Sequence, residues 1–106
     1  MTQKVVNRLV RDKMLKLYAE SGAMCASEVL PQEQYVEELK RNLKESLTTF
    51  DSGNIINNLV DAAELIYALA QAFGTDSEQL DAHRREKKER LGGYESRLFL
   101  KSINTD

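Results

Sequence analysis

The sequence predicts an all-α fold, a single-domain helical bundle over residues 1–106. It is built on an antiparallel helix hairpin, about residues 32–51 and 54–74, with short N- and C-terminal extended arms. Three observations carry this expectation. Residues 54–74, NIINNLVDAAELIYALAQAFG, form the longest apolar run, and as a helix Ile55, Ile56, Leu59, Ala62, Ala63, Ile66, Leu69, Ala70 and Phe73 cover most of its circumference. In residues 32–51, Val36, Leu39, Leu43, Leu47 and Phe50 recur at the spacing of one helix face. Only the turn-rich Asp51-Ser52-Gly53-Asn54 separates the two segments, and a connection that short makes neighbouring helices antiparallel.

Each element follows from local chemistry. Residues 3–10, QKVVNRLV, are short and β-branched and read as an extended arm. From Arg11 to about Ser21, Val10, Met14, Leu17 and Tyr18 recur at helical spacing, and Gly22 stops the helix. Residues 23–30 read as a loop or short extended piece, and Pro31 suits the first position of the next helix. Gly74 closes the central helix, and Thr75 and Glu78 stand at capping-box spacing before a helix from about Asp76 to Leu91. HRREKKER in that helix interleaves both signs, as a solvated face does, and His83 is read as a surface residue. Gly92-Gly93 breaks the helix, and the tail YESRLFL is expected to be extended and to pair with the N-terminal arm as a two-stranded ribbon.

Size and composition narrow the class. A chain of 106 residues buries only about two thirds of its unfolded surface on folding, so a helix as apolar as 54–74 points to a homo-oligomer, a dimer by default. Asn57, Asn58, Asp61 and Glu64 make that helix too polar to cross a membrane. The first apolar residues are broken by Asn7, Arg8 and Arg11, so no signal peptide is expected, and the location expected is cytoplasmic. One cysteine, Cys25, excludes an internal disulfide framework and a Cys-based zinc cluster, and it is read as a small apolar residue. The net charge of −2 conceals an uneven pattern: +3 over residues 1–20, −8 over 28–81 and +4 over 84–101. Acids in the middle and bases at the ends suit oppositely charged surfaces that pack together, or acids holding a cation while bases hold phosphates.

The helical middle offers oxygen ligands but no complete set. Asp61 and Glu64 form an i, i+3 pair on one face of the central helix, while Glu45 and Glu38 of the preceding helix are not i, i+3 partners. Hard carboxylate oxygens gathered in this way are what Mg²⁺ takes.

NRLVRDK (7–13), YVEELKRNLKES (35–46), LVDAAELIYALAQAFG (59–74) and REKKERLGGYESRLFLK (85–101) resemble, in collinear order, the small MazG-like proteins similar to phosphoribosyl-ATP pyrophosphohydrolase. The LVRDK opening and the GGYxxRxFL ending are the more specific motifs. The resemblance implies an all-α bundle active as a dimer or higher assembly. It also implies hydrolysis of a nucleoside triphosphate, or phosphoribosyl-ATP, between the α and β phosphates with release of pyrophosphate. In that family Mg²⁺ is held by an EExxE motif on one helix and an ExxD motif on the next. Carried onto this sequence, Glu45 and Asp61 are kept, while Ser46, Thr49 and Asn58 stand where carboxylates are expected. Three of the four usual ligand positions, 46, 49, 58 and 61, have therefore lost their charge.

Three readings result. In the first the chain is a working pyrophosphohydrolase with a rearranged site. Glu45 and Asp61 are catalytic, Asp61, Glu64, Glu45 and Glu38 are the metal ligands, and Arg11, Lys13, Arg90 and Arg97 hold phosphate. In the second it is a catalytically silent relative that binds a nucleotide or a protein. In the third it is a structural or regulatory dimer whose basic ends meet a partner; no helix-turn-helix signature or aromatic-interleaved basic stretch points to nucleic acid.

Overall fold

A computed structural model describes residues 4–48 and 54–104. They form four helices in chain order: α1 (Met14–Glu20), α2 (Gln32–Thr48), α3 (Ile55–Ala72) and α4 (Ser77–Leu91). No strand occurs among the described residues. The all-α expectation thus stands. The expected end of the second helix, with Thr49 and Phe50, and most of the turn at 51–54 lie outside the described residues.

The helix ends show why the sequence breaks where it does. α1 and α3 stop in the same way. Gly22 N donates to the Ala19 carbonyl and Ala23 N to Tyr18, as Gly74 N donates to Gln71 and Thr75 N to Ala70. In both cases the glycine takes a left-handed φ, +92° at Gly22 and +89° at Gly74, which a side chain would disfavour. α4 begins with a reciprocal cap one residue later than the sequence pattern indicates. Asp76, with an extended backbone, accepts from Gln79 N at 2.8 Å, and Gln79 Oε1 accepts from Asp76 N at 3.3 Å. Thr75 Oγ1 is drawn to the same Gln79 Oε1 instead of capping. An aspartate at the N-cap also meets the partial positive charge of the helix start, which Thr75 could not. α1 starts at Met14 and not at Arg11, because residues 11–13 make a turn in which Met14 N bonds the Arg11 carbonyl.

α2 packs on α3, and α3 on α4; α1 packs on no helix among the described residues. At the start of α2, Gln32 Nε2 donates to the Ala72 carbonyl at the end of α3, 3.2 Å away. Leu39 of α2 and Ala62 of α3 are the buried apolar residues, 2% and 4% exposed, among the described ones. Both lie on the two helices that pack most extensively, α2 and α3.

α3 has three faces. Asn58, Leu65, Leu69 and Ala72 are half-buried on the side that carries Ala62. Asn57, Glu64 and Gln71 form an exposed polar stripe. The remaining side, Ile56, Leu59, Val60, Ala63, Ile66 and Tyr67, is apolar and exposed, with Ile56 at 73%. The whole chain is correspondingly elongated, 70 × 34 × 23 Å with a radius of gyration of 18.9 Å. A compact chain of this length would have about 13 Å.

The ribbon expected between the two arms is not formed among the described residues. The N-terminal arm turns inward instead, spending its Leu9 carbonyl on Asn42 Nδ2 of α2 at 3.0 Å. The tail bends away through a turn at Tyr94–Arg97, where Arg97 N bonds the Tyr94 carbonyl, and residues 98–104 are exposed. Cys25, read as a small apolar residue, is exposed rather than packed.

Candidate functional site

The N-terminal arm crosses α2 and α3 by three polar contacts, and these define the candidate site. Arg8 Nη2 pairs with Glu45 Oε2 of α2 at 2.8 Å. The Leu9 carbonyl accepts from Asn42, one turn earlier on the same helix. Arg11 Nη2 pairs with Asp61 Oδ1 of α3 at 2.6 Å, fifty residues away in sequence. Glu38, Asn42 and Glu45 recur at i, i+4 and i+7, so one stripe of α2 faces the arm. Asn7, just before the crossing, has a left-handed φ of +48°, a turn that asparagine tolerates better than most residues.

The site is half open. The paired side chains keep roughly half of their surface in water: 53% and 45% for Arg8 and Glu45, 56% and 43% for Arg11 and Asp61. Each guanidinium carries five N–H donors, and the ion pair uses only part of that fork. The carboxylates therefore fix the direction of the two guanidinium groups, whose other edges remain able to meet an anion.

The expected ligands are dispersed. Glu45 and Asp61 are each held by an arginine. Glu64 is exposed on the polar stripe of α3. Glu38 pairs loosely with Arg41 at 3.7 Å through Oε1, while its Oε2 is buried with no hydrogen-bond partner. Ser46 and Asn58 are half-buried and uncharged, and Thr49 lies outside the described residues. Among the described residues no three His, Cys, Asp or Glu side chains gather where they could hold a metal. The acids as arranged do not fit a Mg²⁺ box, since two of them already have cationic partners that a metal would have to displace.

Of the expected phosphate-holding bases, Arg11 is in the site and Lys13 ends the turn that precedes α1. Arg90 is exposed in the last turn of α4, and Arg97 lies in the turn beyond it with a left-handed φ of +58°. Arg8 and Asn42 were not among the expected site residues. The signal for them was present, since Arg8 lies in the NRLVRDK segment and Asn42 lies between Glu38 and Glu45 on one helical stripe. Two open depressions lie elsewhere. One of about 410 Å³ is lined by Tyr67, Ser77, Glu78, Asp81 and Arg85, and one of about 250 Å³ by Gln32, Tyr35, Ala68, Gln71 and Ala72. Neither includes a residue of the arm crossing.

No helix of the described residues is long and apolar enough to cross a membrane. Compared with known proteins, the chain matches no family model, no curated protein and no solved structure.

Proposed function

We propose that this chain is a MazG-like nucleotide pyrophosphohydrolase by descent, a dimer of α2–α3 antiparallel hairpins that takes the phosphates of a nucleoside triphosphate at the arm crossing. The observation that carries the reading is the Arg11–Asp61 pair at 2.6 Å. It joins the NRLVRDK opening to the helical middle, two segments that carry the resemblance, and it sets a phosphate-type base against a ligand-type acid.

In this reading Arg8 and Arg11 turn their free N–H groups to the triphosphate, which arrives as its Mg²⁺ complex and supplies most of the oxygens around its own cation. Binding an anion there loosens the arginine–carboxylate pairs, and the released Glu45 or Asp61 carboxylate accepts a proton from water attacking the α–β phosphoanhydride. Ser46 and Asn58 add oxygens without charge.

A second reading, binding without turnover, has its own support: two kept acids are neutralised by arginines and two ligand positions are uncharged. Pyrophosphate release from a panel of ribo- and deoxynucleoside triphosphates, with Mg²⁺ or Mn²⁺, separates the two. Turnover by the natural chain that Asp61→Ala abolishes supports hydrolysis. Turnover only after Ser46→Glu, Thr49→Glu and Asn58→Glu together supports binding alone. No turnover in either, with no heat of nucleotide binding at millimolar concentration, refutes both.

A further inference from the structure

The outer face of α3 and the C-terminal tail are two bare apolar surfaces of matching length and opposite charge. Along α3, Ile56, Leu59, Val60, Ala63, Ile66 and Tyr67 lie on the side away from Ala62. From Ile56 to Tyr67 this face runs about 17 Å at 1.5 Å per residue. In the tail, Leu98, Phe99, Leu100 and Ile103 are exposed, Phe99 at 86%. From Leu98 to Ile103 an extended chain covers about 17 Å as well. The polar stripe beside this face carries Glu64 and no base, whereas residues 96–104 carry Arg97 and Lys101 and no acid.

Within one chain the two surfaces do not meet. Both stay exposed in the single chain, and the Lys88–Glu95 pair at 3.7 Å ties the turn at Tyr94–Arg97 back to α4. The unburied area is also large. The chain exposes 10113 Å². A compact monomer of its mass exposes about 6,000 Å². The excess of about 4,000 Å² per chain is more than one partner contributes to most obligate dimers, whose interfaces bury about 2,000–5,000 Å² in total.

We infer that the occupant of the α3 face is the tail of a second copy of this chain. Two copies exchange arms: Leu98, Phe99, Leu100 and Ile103 of one lie along Ile56–Tyr67 of the other, and Arg97 and Lys101 lie toward Glu64 of the polar stripe. This rests on the dimer in the reading above and specifies its interface. The α2–α3 packing stays intact within each copy.

The test uses full-length chains in which Cys25→Ser removes the native thiol. One carries Val60→Cys and the other Phe99→Cys, and both positions are exposed in the single chain. Mixed and mildly oxidised, they are expected to give mainly the mixed disulfide at twice the 12.1 kDa chain mass. Mainly Val60–Val60 product means that α3 packs on α3 and overturns the exchange. A dimer by light scattering with no mixed product also overturns it, and leaves the dimer standing. A monomeric natural chain overturns both. Independently, Leu98→Ser with Phe99→Ser should raise the dimer dissociation constant by about tenfold or more. An unchanged constant overturns the exchange while sparing the nucleotide reading.

Discussion

Arg11→Ala separates what the arm does for the fold from what it does for a ligand. The side chains of the Arg11–Asp61 pair are 56% and 43% exposed, so water screens it in spite of the 2.6 Å distance. Pairs of this exposure contribute about 0.2–1 kcal/mol. A loss of about 0.5 kcal/mol lowers the melting temperature of a domain of this size by only about 2–4 °C. The effect on a bound triphosphate is larger. A charge-assisted hydrogen bond is worth about 1.5–3 kcal/mol, so removing it weakens binding by about ten- to a hundredfold. Thermal unfolding followed by circular dichroism gives the first quantity, and calorimetry with a non-hydrolysable triphosphate gives the second. Arg11→Lys should recover part of the affinity, because the charge remains and the planar fork is lost. A folded Arg11→Ala variant that binds as tightly as the natural chain refutes the assignment of Arg11 to phosphate. A melting temperature lowered by 10 °C or more refutes the description of the pair as a screened surface contact.

Leu39→Ala removes the side chain that fills the α2–α3 contact and should cost about 3–5 kcal/mol, read as a lower urea midpoint. Asn42→Ala leaves the Leu9 carbonyl without its donor and should cost about 1 kcal/mol, with faster amide exchange confined to the arm. The Asp81 carboxyl is held below its ordinary range, first by the hydrogen bond from Arg84 and then by the charges of Arg84 and Arg85. A depressed carboxylate stabilises the folded chain above its ordinary titration range, and that contribution is lost as pH falls through the folded value. Nuclear magnetic resonance should therefore show Asp81 titrating below free aspartate, and Arg84→Ala should move the midpoint upward.

The fold was legible where the chain punctuates itself. Pro31 suits only the start of a helix, Gly22, Gly74 and Gly92 take left-handed φ values just past helix ends, and every helix boundary they imply lies within a few residues of the observed one. The cap of α4 was misread by one residue because Thr75 and Asp76 both qualify as N-caps, and only the backbone conformation decides between them. The arms were harder. Pairing between segments distant in sequence depends on where the intervening helices send them, and nothing in QKVVNRLV indicates that Leu9 will meet Asn42. For the site, the sequence points to Arg11 and Asp61 in separate roles. Their direct contact was not foreseen, because spacing along a helix orders its own residues and is silent about a strap laid across it.

The thin, elongated outline has a consequence for how this protein keeps its shape at all. With Leu39 and Ala62 as its buried apolar residues among those described, a lone copy has little to set against the chain entropy lost on ordering about a hundred residues. If two copies associate as proposed above, folding and association become a single event, governed by mass action. Diluting the protein should unfold it without any denaturant, and its melting temperature should climb with concentration, so the amount of this chain that is made also sets how much of it is folded.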